Sequence, residues 1–422
     1  MHIVGIISEY NPFHNGHKYL IEEQKRINPQ SKFIAVMSGN IMQRGEVSIL
    51  NKWQRAELAI YGGIDLVLEL PSVFAVRSAE HFALGGVGLL AKLNCVDSIC
   101  FGSEHTNLAN LTKIATASME KDFTTILQTY IKQGLPYAAA MSRALNKYTQ
   151  IDEKIIKEPN TILGIEYIKA MQKLQAKFAI SVIARKKAMH NDLICQDNFA
   201  SGTAIRHMLY TNNINFTKLA QVVPPKTLAY LHKSYEQKLL PNVENLFLPL
   251  SAKLRLAKFA DIASIYGVRE GLEFKLLETI CQVTSLEELL TKLKSKRYTR
   301  TNLQRLLFYL LLNLTQNQIE QFDNELPAYA RVLAFNKHGR EILKTLKRTS
   351  SIPIITKTSA FLDSKKRRQA HLTTLEAMLA IDTFATDLYN LCFNPVERAN
   401  MDFTTSPQYL KNAGSAVLNE CS

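Results

Sequence analysis

The chain has 422 residues, too many for one ordinary domain and about right for two. Hydrophobic residues make up 46% of it, enough for a sizeable buried core, which excludes a disordered polymer. Net charge is +14 and unevenly spread: residues 201–422 hold 29 Lys and Arg against 19 Asp and Glu, an excess that points to a polyanionic partner, RNA or DNA first.

No apolar run approaches the length of a membrane span, so no membrane association is expected. Met1-His2-Ile3-Val4 enters an apolar stretch without a basic leader, so a secretory signal is not expected either. The six cysteines are scattered, with no Cys-x-x-Cys pair and no zinc spacing. Reduced thiols and a cytoplasmic location follow as expectations.

Taken in chain order, short apolar runs alternate with helical patterns. Ile3 to Ile7 reads as a buried strand, followed by Phe33–Met37, Asp65–Leu70, Ser98–Phe101 and Phe178–Ala184. Helical stretches fall between them at roughly 16–28, 50–62, 79–93, 104–133 and 160–175. Continuous apolar strands separated by helices predict an α/β fold, a doubly wound parallel sheet of Rossmann type with ligands at the carboxyl ends of its strands. After about residue 215 strand signals nearly vanish. Leucine recurs at helical spacing over 248–260, 270–280, 285–295, 301–314, 326–334 and 372–392. The expected division is therefore an α/β domain over 1–215 and a basic, mostly helical domain over 216–422. Pro224-Pro225 lies near the boundary.

The first strand runs into Ser8-Glu9-Tyr10-Asn11-Pro12-Phe13-His14-Asn15-Gly16-His17, and a helix then starts. That turn is the usual phosphate position in such sheets. Asn15 is a credible N-cap, and Gly16 lets backbone approach a ligand. The helix N-terminus offers N–H groups and partial positive charge to an anion. Two imidazoles three residues apart can address one triphosphate, donating to phosphoryl oxygens as pyrophosphate leaves. No Gly-x-Gly-x-x-Gly follows the strand, which disfavours a dinucleotide site.

His14-Asn15-Gly16-His17 resembles the signature of the nucleotidyltransferase superfamily that shares a His-x-Gly-His motif with class I aminoacyl-tRNA synthetases. The longer string Glu9 to His17 resembles the bacterial tRNA(Met) cytidine acetate ligases. So do Met37-Ser38-Gly39-Asn40, Gln43-Arg44-Gly45, Lys52-Trp53-Gln54-Arg55-Ala56-Glu57, Asp65 to Pro71, Phe101-Gly102-Ser103-Glu104, Asn160 to Tyr167, Ser201 to Arg206 and Lys296 to Thr301. The resemblance covers about residues 1–400. It implies an ATP-dependent ligase that makes acetyl-adenylate from acetate and ATP. The acetyl group then passes to N4 of the wobble cytidine of elongator tRNA(Met), giving N4-acetylcytidine.

On the residues and this resemblance together, His14 and His17 are the expected catalytic pair. The expected ATP site adds Ile7, Ser8, Glu9, Tyr10, Asn11, Pro12, Phe13, Asn15, Gly16, Lys18, Tyr19, Leu20, Gly102, Asn160, Arg185, Ser201, Thr203 and Arg206. Gly102 closes the fourth strand, and Asn160 reads as the N-cap of the 160–175 helix. Arg185 ends the fifth strand, where a guanidinium fork suits phosphate. Ser201 and Thr203 can cap a helix facing an anion, with Arg206 adding charge. His190-Asn191-Asp192 resembles a Tyr-His-Asp element of the family, with Met189 where tyrosine is common. Trp53 reads as core, and His81 and His105 as core or surface residues.

Lys292, Lys294, Lys296, Arg297, Arg300 and Arg305 form a run without an acid, with Tyr298 inside it. Arg331, Lys337, Arg340, Lys344, Lys347 and Arg348 form a second basic cluster, and Lys365 to Arg368 a third. Such clusters suit phosphate-backbone contact, and Lys294, Lys296, Arg297, Arg300, Arg305, Lys337 and Arg340 are the expected tRNA-binding residues. Magnesium would assist the chemistry, but no carboxylate cluster predicts a metal site. The rivals are a metabolite nucleotidyltransferase, which leaves the basic half unexplained, and a non-catalytic RNA-binding protein with a vestigial ATP pocket. Oligomeric state is open.

Overall fold

A computed structural model describes residues 1–135, 137–186, 198–211, 214–411 and 413. The five expected strands of the first half are all present: β1 (His2–Ser8), β2 (Ser31–Ser38), β3 (Leu66–Leu70), β4 (Ser98–Ser103) and β5 (Ala179–Ala184). They lie side by side in the order β3-β2-β1-β4-β5, every neighbouring pair parallel. The order reverses between β1 and β4. At such a switch point the two following segments leave on opposite faces and open a crevice beyond the carboxyl ends of the strands.

Alternation along β1 divides the core. Ile3 and Ile7 pack on one side with Phe82, Ala83, Ile165 and Ile168. Val4 and Ile6 pack on the other with Trp53, Ala56, Ile205 and Leu209. The helices Ala79–Lys92 and Pro159–Leu174 thus cover one face, and Lys52–Tyr61 and Gly202–Leu209 the other. Each buried aliphatic or aromatic side chain contributes ~1.5–3 kcal/mol, so both faces are strongly held. Trp53 is core, as expected.

Two expectations are corrected. The 104–133 stretch breaks at residues 118–120 into Leu108–Ala117 and Lys121–Lys132. More consequentially, the stretch expected as a helix over 326–334 contains a strand, β6 (Ala330–Phe335), which pairs antiparallel with β3. β7 (Ile354–Ile355) and β8 (Gln408–Tyr409) then pair parallel to β6. A short apolar run does not declare its period, and Arg331 inside it mimics the polar face of a helix.

The sheet therefore crosses residue 215. The helices Phe247–Leu256, Leu272–Ile280, Leu286–Leu293, Arg300–Leu312 and Thr374–Asn390 lie close to the expected positions. Their Leu250, Leu276, Leu289, Leu303 and Leu379 belong to the same apolar cluster as Ile3 and Ile7, so one core runs from sheet to helices.

Arg331 also explains how β6 is secured. Its guanidinium lies 3.1 Å from Glu69 and 2.5 Å from Asp402, and Lys52 Nζ lies 2.7 Å from Glu69 and 2.6 Å from Asp402. All four side chains are buried. Burial alone would raise the Asp402 carboxyl, but Arg331 and Lys52 outweigh it and hold it down at about 2. Nearby, Asp382 accepts from the Ser72 N–H at 2.7 Å and from the Tyr329 hydroxyl. Burial, then the charge of Glu69, pushes this carboxyl up to about 7. Among the described residues no helix is long and apolar enough to cross a membrane.

Candidate active site

The loop after β1 turns into the helix Asn15–Ile27 at the switch point. The cap is not Asn15 but His14, whose extended backbone (φ −135°) lets its ring reach forward. His14 Nδ1 accepts the Gly16 N–H at 3.1 Å, and His17 Nδ1 accepts the His14 N–H at 3.2 Å. Asn15 is the first helical residue. Its amide instead donates to the carbonyls of Asn198 at 3.1 Å and Gln221 at 2.9 Å, tying the loop to the segment beyond β5.

This reciprocal cap decides the chemistry of both rings. Their centroids lie 3.7 Å apart, stacked at 22°. Burial, then the charges of Arg185 and Arg206, pushes the His14 imidazole down to about 3. Burial, then His14 and Arg185, lowers His17 well below the ordinary imidazole range. Both are neutral at pH 7. A neutral imidazole carries one N–H, and a nitrogen accepting a backbone N–H cannot hold it. Each proton therefore sits on Nε2, giving two adjacent donors flanked by two guanidinium groups.

The remaining loop residues fall into distinct sets. Ile7 packs into the core against the Ala79–Lys92 helix, and Ser8 ends the strand. Glu9 Oε1 accepts the Gln43 N–H at 2.6 Å. Tyr10 and Phe13 are buried, their rings 4.9 and 5.5 Å from that of His17. Asn11, before the cis Pro12, accepts the Ile49 N–H through Oδ1 at 2.9 Å. Lys18 turns away to Glu22 at 3.7 Å. Tyr19 meets Phe199 edge to face, with centroids 5.9 Å apart, and the Lys186 ammonium lies over the Tyr19 ring. Leu20 lies beside Gly102, where an added Cβ would come within 3.4 Å of it and 3.3 Å of the Arg185 side chain.

Arg206 donates to the Asn11 carbonyl at 2.8 Å and to Glu46 at 2.8 Å. Ser201 caps its helix as expected, through the Ala204 N–H at 3.1 Å, and the Arg206 guanidinium reaches back to the Thr203 hydroxyl at 3.4 Å. Asn160 is not the expected cap of its helix, which starts at Pro159; its amide donates to Glu104 Oε1 at 2.5 Å. Glu104 Oε2 accepts the Thr161 N–H at 3.0 Å and so takes the capping role. Arg185 lies 3.6 Å from the same carboxylate. His190, Asn191 and Asp192 lie outside the described residues.

Two residues that sequence reasoning passed over shape the site. Glu104 joins β4, the Pro159–Leu174 helix and Arg185. Arg55 is wholly buried and donates to the carbonyls of Glu9 (2.5 Å), Ser38 (3.1 Å), Leu50 (3.1 Å) and Gly39. Burial lowers its guanidinium to about 10. Its place on the Lys52–Tyr61 helix, beside Trp53, Ala56 and Leu58, was the available signal, since an arginine on a core-packed helix needs partners.

The basic clusters separate. Arg331 and Arg367 are buried in ion pairs and leave the surface clusters. Arg297 pairs with Glu270, Arg300 with Glu287 through two bonds of 2.7 and 2.5 Å, and Arg305 donates to the Arg77 carbonyl at 3.2 Å. Lys294 and Lys296 are exposed. Lys337 and Arg340 are exposed too, but they start a helix at the far rim of the sheet, where Asn336 binds Asp65 ahead of β3.

The HIGH Nucleotidyl Transferase family matches residues 1–403. A tRNA(Met) cytidine acetate ligase of Thermoanaerobacter sp. (strain X514) is 39% identical over 96% of this chain and 98% of its own length. One from Alkaliphilus metalliredigens (strain QYMF) is 37% identical over 97% and 99%. The chain belongs to the tRNA(Met) cytidine acetate ligase family. The apo crystal structure of Thermotoga maritima TmcAL superposes with a TM-score of 0.87 at 30% identity, over 97% of this chain and 100% of that one. A second crystal form of the same ligase, bound with alpha-thio ATP, gives 0.86 at 29% identity and the same coverage. That match covers 97% of this chain, so the likeness extends to the half beyond residue 215.

Proposed function

We propose that this protein is an ATP-dependent ligase that converts acetate to acetyl-adenylate and transfers the acetyl group to N4 of the wobble cytidine of elongator tRNA(Met). The observation that carries the reading is the stacked pair of neutral imidazoles at the β1/β4 switch point, between Arg185 and Arg206. The 37–39% identity to ligases named for tRNA(Met) cytidine and acetate supports these substrates.

In the first step an acetate oxygen attacks the α-phosphorus of ATP. The bond from that phosphorus to the bridging oxygen breaks, and pyrophosphate leaves. His14 and His17 donate from Nε2 to phosphoryl oxygens, where two fixed donors in a water-poor site count for more than in solution. Arg185 and Arg206 balance the developing charge, and Gly102 leaves room for the adenosine against bare backbone. In the second step the cytidine amine attacks the acetyl carbonyl and AMP departs. The mixed anhydride is already activated, so no protein nucleophile is required. Among the described residues no group of three or more His, Cys, Asp or Glu is placed to hold a metal ion. Lys294 and Lys296 are exposed cations offered to RNA phosphate, with a cleft of about 380 Å³ beside them lined by Glu270, Lys275, Arg297 and Tyr298. Lys337 and Arg340 would touch a part of the RNA remote from the target base.

The test is acetate-dependent ATP–pyrophosphate exchange, followed by transfer of labelled acetate to tRNA and nucleoside mass spectrometry. Label in N4-acetylcytidine is the expected result. Exchange without any label in RNA would point to a metabolite nucleotidyltransferase, and no exchange at all would overturn the reading.

A further inference from the structure

Gln43-Arg44-Gly45 has no place in the adenylation chemistry, yet the fold invests heavily in it. Residues 41–47 form a tight hairpin, with Ile41 and Val47 bridged antiparallel. The Met42 N–H donates to Glu46 O at 2.8 Å and the Gly45 N–H to Met42 O at 2.9 Å. Three attachments hold it. Its Gln43 N–H is bound by Glu9 of the imidazole loop. Its Glu46 pairs with Arg206, which also grips the Asn11 carbonyl. Its Gly45, at φ +73°, lies flat on the Arg300–Leu312 helix, where an added Cβ would stand 2.5 Å from the Arg305 nitrogen.

The hairpin therefore joins the ATP-side loop directly to the helix that carries Arg300 and Arg305 of the first basic run. Arg44 sits at its tip and is exposed, while Ile41, Met42 and Gly45 are buried. Neighbouring guanidiniums are engaged: Arg55 by the Glu9 carbonyl, Arg206 by Glu46, Arg305 by the Arg77 carbonyl. Among the described residues Arg44 has no hydrogen-bond or ion-pair partner. A rigid arm ending in a free planar cation, beside a site where an RNA base must be presented, is suited to a phosphate oxygen pair.

We propose that Arg44, held by this hairpin between the imidazole loop and the Arg300–Leu312 helix, is an RNA-contacting residue that grips a backbone phosphate beside the base entering the active site. The identity of that base rests on the acetyl-transfer reading above; the phosphate contact does not.

The test compares the full-length enzyme with Arg44→Ala and Arg44→Lys. Binding of tRNA is measured by fluorescence anisotropy over a series of salt concentrations. Losing one phosphate contact should weaken binding three- to ten-fold at moderate salt and flatten the log–log salt slope by roughly 0.7–0.9. Arg44→Lys should recover part of the affinity and the whole slope. Acetate-dependent exchange should stay within two-fold, because the contact lies on the RNA side. Unchanged tRNA affinity and slope in Arg44→Ala would overturn the proposal. So would a larger rise in the KM for ATP, which would assign Arg44 to the nucleotide. Because binding is read without chemistry, a failure of acetyl transfer in the unmodified enzyme would sink the functional reading and leave this result standing.

Discussion

A histidine that accepts a backbone N–H with one nitrogen has its other nitrogen committed as a donor, and here His14 does this for the Gly16 N–H and His17 for the His14 N–H. Replacing either ring should remove one donor from the departing pyrophosphate. His17→Ala should slow exchange ~10²–10³-fold, the usual cost of one such donor. His14→Ala confounds this with loss of the cap, worth ~1 kcal/mol. His14→Asn separates the two: a capping side chain returns, so the melting temperature should recover while exchange does not. Full activity in His14→Asn would mean that the ring only caps. The depressed imidazoles also set a pH dependence. Folding holds His14 neutral down to about 3, whereas the unfolded chain takes up a proton near 6.5. The native state binds fewer protons, so this contribution to stability is present above pH ~6.5 and fades as pH falls towards 3. The melting temperature should drop from pH 7 to 5 and drop less in His14→Asn, and kcat/KM for ATP should show no inflection from these rings between pH 6 and 8. The sequence made the imidazole pair legible, because its place after the first apolar strand is unusual. Its capping bond was not, since Asn15 is the better cap by residue type, and Glu104 was hidden because the helix it caps begins 55 residues further on, at Pro159.

At the scale of elements, strands β1 to β5 could be read because parallel strands buried on both faces are continuous apolar runs. β6 could not, for it carries Arg331 and its pairing partner lies far away in sequence. The Lys337–Thr349 helix that follows it is pressed onto the sheet at Gly339, where an added Cβ would stand 1.9 Å from the Asp65 carbonyl oxygen. That obstacle is backbone and cannot swing aside. Gly339→Ala should therefore cost ~1–3 kcal/mol by overpacking, seen as a lower denaturant midpoint. An unchanged midpoint would show that the helix can lift away freely. The same reasoning makes Gly45 unreplaceable: its positive φ and its contact with the Arg300–Leu312 helix both exclude a side chain.

Over the whole molecule, the division expected near residue 215 describes where composition changes, while the core and the sheet continue past it. Lys52 and Glu69 from the first half meet Arg331 and Asp402 from the second in one buried cluster. Removing one member strands its partners' charge, so Lys52→Met should destabilise the protein by ~3–5 kcal/mol and lower its melting temperature as a single transition. Two separate transitions, with only one of them shifted, would show the halves to be independent. A fragment of residues 1–215 should fail to give a folded monomer, since β3 loses the strand that covers it; a soluble, dispersed NMR spectrum would disprove that.

The placement of β6 also imposes a timetable. β3 leaves the ribosome long before Ala330–Phe335 is made, on the order of tens of seconds at ordinary elongation rates. Throughout that interval Leu66-Val67-Leu68-Glu69-Leu70 presents bare amide and carbonyl groups, a template to which other nascent chains can adhere. The one carboxylate in that stretch, Glu69, later becomes the anchor for Arg331, so the group that binds the closing strand is also the one that keeps strangers off it while the chain waits.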